Sequence, residues 1–326
     1  MSDRIRTAVI GLGHFGRFHA EKYARLPRSQ FVGVVDADAG RSTEVAKKLR
    51  VAAFTDYREL FGKVDAVSVV VPTQLHHEVA LACLNAGIHV LVEKPITETL
   101  PQAEDLIAAA QRAQRILQVG HLQRFLLQRL GADTVIQDPL YIEAVRIAPY
   151  KPRGTDVGVT LDLMIHDIDL VLALVRSPVV AVDAVGAPVV SPTEDIANTR
   201  LRFANGCVAN ITASRVSLKT ERKMRIFQRD AYVSLDLHNR KYVVMRKGSG
   251  KAWFPGLPPI DRDERSFGEG DDLEAEIASV LEAIVAGTSP LVSGEDGRRA
   301  LETAMRVTAG LNESLARISG SAAAPA

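Results

Sequence analysis

Six residues near the start, Gly11-Leu12-Gly13-His14-Phe15-Gly16, constrain this chain more than any other feature. They follow the apolar run Ala8-Val9-Ile10 and open a helical segment near Arg17, the strand-turn-helix context in which G-x-G-x-x-G carries meaning. The first glycine permits a tight turn, the second lets the backbone approach a pyrophosphate, and the third lets helix and strand pack closely. Unpaired N–H groups and the dipole at the helix N-terminus then favour a bound phosphate, with His14 and Phe15 in the same turn. A glycine run alone could equally be a packing turn. Asp36 tips the reading toward a dinucleotide. It ends the second apolar run, where a carboxylate accepts hydrogen bonds from the adenosine ribose and repels a 2′-phosphate. NAD is therefore expected over NADP, with Arg41 close enough in sequence to bear on that choice.

Up to about residue 120, short apolar runs (7–10, 31–36, 66–71, 89–92 and 116–119) alternate with helical periodicity over 17–26, 39–49, 75–86 and 102–113. That alternation is how a doubly wound parallel α/β sheet reads. After an apolar helix at 161–175 the texture changes to strands and tight turns. Asn205-Gly206 stands between alternating runs, the strongest short hairpin signal, so an antiparallel sheet is expected over 198–246. Helices at 271–286 and 294–318 close the chain, and the Gly-, Pro- and charge-rich stretch 248–270 reads as a long loop. A length of 326 residues suits about two domains. The division expected is 1–121 for the dinucleotide and 122–326 for substrate and oligomerisation.

Composition removes several function classes. Lys+Arg 40 against Asp+Glu 39 leaves a net charge of +1, no excess to meet a nucleic-acid backbone or an anionic membrane. The two cysteines, Cys83 and Cys207, lie far apart, so neither a disulfide framework nor a cysteine-rich metal site is expected. The N-terminus has no apolar leader, and a cytoplasmic location is expected.

Chemistry is expected at two places. Glu93-Lys94-Pro95 ends the fifth apolar run, where open α/β sheets place ligand contacts, and Pro72-Thr73 occupies the analogous rim after the fourth. On the helix 161–175, Asp162, His166 and Asp169 fall on one stripe of an otherwise apolar surface, with Asp167 pointing the other way. A carboxylate one turn from an imidazole serves either as internal glue or as a base and its orienting partner. No third ligand with metal-site spacing accompanies the pair, so no metal is expected.

The glycine turn, Asp36, His76, Glu93-Lys94-Pro95 and the D-x-x-x-H of Asp162 and His166, in this order, resemble the glucose-fructose oxidoreductase and inositol dehydrogenase (Gfo/Idh/MocA) family. The resemblance implies a Rossmann domain and an α+β C-terminal domain with a large, mostly antiparallel sheet used for oligomerisation, as a homodimer or homotetramer. It also implies hydride transfer between NAD(P) and a sugar or polyol carbon. Lys94, Asp162 and His166 would be the catalytic set, Pro95 would follow a cis peptide, and Pro72, Thr73, His76, Glu93 and Lys94 would join the glycine turn and Asp36 at the cofactor.

The stretches Gly120–Phe125 and Ala148–Val157 are similar to the bacterial branch of that family which oxidises the 3-hydroxyl of UDP-N-acetylglucosamine for an aminotransferase in lipid A assembly. Leu126-Leu127 departs from the Asn-Pro expected there. Arg124, Lys151 and Arg153 could pair with a diphosphate or simply face solvent. The alternatives are a free-sugar, sugar-acid or inositol dehydrogenase, an NAD-assisted glycosidase and an NAD-sensing protein.

Overall fold

The computed structural model describes residues 4–151, 157–249, 256, 259–268 and 270–322. The chain divides into two compact units: residues 1–125 with 271–301, and residues 126–270 with 302–326. The expected cut at 121/122 therefore needs correction, because the chain returns to its first unit late. The reason is the stripe Leu273, Ile277, Val280 and Leu281, which packs into the core formed by Val9, Leu12, Ala20, Tyr23, Val34 and Leu91.

In the first unit, six strands form a parallel sheet: β1 (Ile5–Ile10), β2 (Ser29–Val35), β3 (Ala52–Phe54), β4 (Ala66–Val69), β5 (His89–Glu93) and β6 (Leu117–Gly120). Their order is β3-β2-β1-β4-β5-β6. The crossovers are α1 (His14–Tyr23), α2 (Ala39–Leu49), α3 (His76–Asn85) and α4 (Leu100–Ala113). Asp38 caps α2 by accepting from the Gly40 and Arg41 N–H groups, and Thr99 with Gln102 forms a capping box on α4. The winding reverses between β1 and β4, and such a switch point is where open α/β sheets bind ligands.

The short helix α5 (Gln123–Arg129) leads to β7 (Pro139–Ile147). A π-helical turn over Thr160–Met164 precedes α6 (Ile165–Val175). The second sheet takes in β8 (Val179–Ala187), β9 (Ile196–Phe203), β10 (Val208–Ser214), β11 (Glu221–Gln228), β12 (Ala231–Asp236), β13 (Lys241–Lys247) and β14 (Ile260–Ser266). Its eight strands run β14-β13-β12-β11-β7-β10-β9-β8, antiparallel except for the β7–β10 pair. The Asn205-Gly206 turn joins β9 to β10 with Gly206 at φ +88°. Part of the expected 248–270 loop is strand: β14 pairs with β13 from Ile260↔Lys247 to Ser266↔Lys241. The remaining helices are α7 (Asp272–Ala286) and α8 (Gly294–Ala322). No described helix is long and apolar enough to cross a membrane.

Candidate active site

The glycine turn has the geometry its spacing predicts. Gly11 has φ +92°, and a Cβ there would stand 2.4 Å from the Val70 carbonyl oxygen. At Gly16 a Cβ would stand 1.9 Å from the Gly11 carbonyl oxygen, so both glycines are required by the protein's own backbone. Gly13 differs: it caps α1, it is exposed, and a Cβ there would meet nothing within 4 Å. That open approach to a helix N-terminus fits a pyrophosphate. His14 and Phe15 are exposed beside it, with the His14 ring edge-on to those of Phe15 and Phe18.

Asp36 is 8% exposed at the end of β2. Its carboxylate accepts the Leu12 N–H at 2.7 Å and the Asp38 N–H at 2.9 Å, tying the glycine turn to the end of β2. Arg41 Nη1 lies 3.1 Å from both oxygens, so the arginine noted in the sequence sits on the carboxylate itself.

The second rim joins the turn through the close approach of Gly11 to Val70 and Val71. Pro72 is exposed and Thr73 half-buried at this edge. His76, expected at the cofactor, is 1% exposed. Its Nδ1 lies 2.8 Å from the Pro95 carbonyl oxygen and its Nε2 2.9 Å from that of Val71. The ring thus clamps the loop after β4 to the loop after β5. Burial lowers its pKa despite these two carbonyls. Glu93 and Lys94 are half-buried at the end of β5, and the Lys94–Pro95 peptide is cis.

The other catalytic candidates lie in the second unit. Asp162 is in the π-helical turn and His166 is in the first turn of α6; both are half-buried where most of α6 is buried. Asp167 points away, as its place on the wheel predicts, and takes a buried bidentate pair from β7: Arg146 Nε at 2.7 Å and Nη2 at 2.9 Å. This pair fixes α6 on the sheet and hence the direction of His166. Asp169, expected on the same stripe as His166, is 1% exposed and does not share its partial exposure. The switch from π to α bonding changes the angular step that an α-helical wheel assumes.

Arg124, expected to meet a diphosphate, is paired with Asp296 at 3.6 Å and is largely buried. Arg153 lies outside the described residues. Sequence reasoning missed two ionisable groups beside Glu93 at the end of β5, His19 and Glu276. His19 Nε2 lies 3.0 Å from the Glu93 carboxylate. Glu276 falls on the apolar stripe of α7, three residues after Leu273 and one before Ile277, and an acid on such a stripe is the signal that could have found it. Burial would raise the Glu93 carboxyl, but the His19 hydrogen bond, the His19 and Lys94 charges and the Lys94 N–H hold it below the usual carboxylate value.

Residues 5–121 match an oxidoreductase family with an NAD-binding Rossmann fold, and residues 141–234 match the Gfo/Idh/MocA C-terminal domain. The chain belongs to the Gfo/Idh/MocA oxidoreductase family. Within that family it is 42% identical over 318 residues to a UDP-N-acetylglucosamine 3-dehydrogenase of Acidithiobacillus ferrooxidans, covering 96% of this chain and 99% of the relative. The solved structure of that enzyme superposes with a TM-score of 0.89 at 41% identity, covering 94% and 97% of the two chains. A myo-inositol 2-dehydrogenase of Thermotoga maritima is 28% identical, covering 91% of this chain and 93% of the relative. The matched Rossmann domain is NAD-binding and the cofactor is NAD; the open turn at Gly13, with Gly11, Gly16 and Asp36 around it, fits such a group.

Proposed function

We infer that this Gfo/Idh/MocA dehydrogenase oxidises the 3-hydroxyl of UDP-N-acetylglucosamine in the cytoplasm. The observation that carries the reading is the 42% identity to an enzyme of that activity along essentially the full length of both chains. When bound, NAD supplies the hydride acceptor. His166 takes the hydroxyl proton onto an imidazole nitrogen, in the role of general base. Asp162, one turn earlier, orients the ring and stabilises its protonated form. Lys94 holds the reacting oxygen through its ammonium group. His76 acts at a distance by clamping the two rim loops rather than by touching the cofactor.

Arg124 is already committed to Asp296, so the diphosphate contact falls in this reading to Lys151, which is exposed, and to Arg153. The second sheet alternates strictly along β9, with Ile196, Asn198, Arg200 and Arg202 exposed, and such a face suits assembly into a homodimer or homotetramer. Turnover with NAD of a panel of UDP-sugars, free sugars and inositols tests the assignment. UDP-N-acetylglucosamine should be used far more efficiently than N-acetylglucosamine. Equal use of both, or preference for an inositol, overturns the nucleotide-sugar reading.

A further inference from the structure

Beneath Lys94 lies a buried ionisable cluster that the proposed chemistry does not use. Helix α1 brings His19 and Tyr23 to it, β4 brings Ser68, β5 brings Glu93 and α7 brings Glu276. Tyr23 Oη lies 3.0 Å from Ser68 Oγ, which lies 3.1 Å from His19 Nδ1. His19 Nε2 lies 3.0 Å from one Glu93 oxygen, and the other accepts the Lys94 backbone N–H at 3.3 Å. The chain of contacts thus ties the helix behind the glycine turn to the strand end that carries Lys94.

Glu276 completes the cluster without joining the chain. It is 0% exposed, and neither of its carboxylate oxygens has a hydrogen-bond partner. A ring nitrogen of His19 and a carboxylate oxygen from each of Glu93 and Glu276 lie within 4.8 Å of one another. With Glu276 fully buried and Glu93 only partly exposed, two carboxyl groups this close strongly disfavour a second negative charge. Glu93 has the His19 ring and Lys94 to balance its charge. Glu276 faces the Glu93 carboxylate and the Tyr23 phenol, together with the uncharged Gln118 of β6, whose amide donates to Glu276's own carbonyl at 3.2 Å. We propose that Glu276 is a positioning residue for Lys94: its uncharged carboxyl leaves Glu93 the single negative charge that joins α1 to the strand end bearing Lys94. Burial first, and then the charge on Glu93, push the Glu276 carboxyl well above its ordinary value, in agreement with this division of charge.

The proposal rests on Lys94 acting in the reaction, and the test separates the two. Thermal unfolding of the full chain is followed from pH 4 to pH 9 for wild type, Glu276→Gln and Glu276→Met. A carboxyl whose pKa is raised by folding contributes stability that is whole below the unfolded pKa and is lost as pH rises toward the folded pKa. The Gln variant lacks that loss. Its Tm should exceed that of wild type by several degrees at pH 8, with the difference closing near pH 4. Above the pH at which wild-type kcat/KM begins to fall, the ratio of the Gln variant's kcat/KM to that of wild type should rise about tenfold per pH unit. A Gln variant less stable than wild type by the same margin at both pH values, or an unchanged alkaline limb, overturns the proposal. So does a Tm raised by Zn²⁺ in wild type but not in Glu276→Gln, which would put a cation where the proton is placed. The Met variant reports the same Tm difference if Gln folds poorly. Full turnover by Lys94→Met would refute the catalytic reading and leave the stability signature intact.

Discussion

Asp36→Ala removes two interactions that the structure makes measurable separately. The carboxylate accepts the N–H of Leu12, which is fully buried, so alanine leaves that donor without its partner. A hydrogen bond to a charged acceptor contributes about 1.5–3 kcal/mol, and folding stability should fall by about that amount. The same carboxylate is the acceptor we propose for the adenosine ribose, so NAD affinity should fall by a comparable energy, or about ten- to a hundredfold. Arg41, held 3.1 Å from both Asp36 oxygens, is released by the substitution while the repulsion of a 2′-phosphate disappears. The preference for NAD over NADP should therefore narrow by more than the loss in NAD affinity alone. Titrations with NADH and NADPH followed by nicotinamide fluorescence, beside denaturant melts of the same protein, give all three quantities. A destabilised variant with unchanged NADH affinity and unchanged preference would mean that Asp36 serves only the glycine turn.

Gly13→Ala and Gly16→Ala should separate binding from folding. The Gly13 methyl enters open space, so the variant folds with a loss under about 1 kcal/mol but binds NADH weakly, whereas at Gly16 overpacking against the Gly11 carbonyl should cost about 1–3 kcal/mol of stability. His166→Ala and His166→Asn should each lower kcat about 10²–10⁴-fold while NADH still binds; a destabilised variant with near-normal kcat would make the imidazole internal glue. Asp195 accepts the N–H groups of Val189, Val190 and Ser191 at 2.8, 2.6 and 2.8 Å and pairs with Arg215. Burial opposes its ionisation, but these bonds outweigh it and hold its pKa below the ordinary value. Its contribution is therefore present above the unfolded pKa and lost as pH falls through the folded one. Asp195→Asn should cost about 3–5 kcal/mol at pH 7, with the gap to wild type narrowing below about pH 4 in acid melts.

What the sequence made legible was local. The glycine turn, Asp36, the Asn205-Gly206 hairpin and the apolar helix carrying His166 each declare themselves within a few residues. The groups that escaped depend on partners distant in sequence. Arg146 makes β7 look half-polar, because its charge is answered by Asp167 twenty-one residues on. The strand β14, Ile260–Ser266, is exposed at nearly every position and is held by its ladder to β13, so neither hydrophobic alternation nor burial marks it. Arg124 reads as a free cation until Asp296 is found beside it. The domain cut failed for the same reason: an apolar stripe announces that α7 packs, but not against which core.

The central claim, hydride removal from C3 of UDP-N-acetylglucosamine with His166 as base, is tested most directly by isotope transfer. UDP-N-acetylglucosamine carrying deuterium at C3 is incubated with the enzyme and NAD, and the reduced nucleotide is analysed by mass spectrometry. The account predicts one deuterium in the NADH formed by wild type and a rate of its formation about 10²–10⁴-fold lower in His166→Ala. Reduced nucleotide without deuterium, or none at all while a free sugar or an inositol is oxidised, would contradict it.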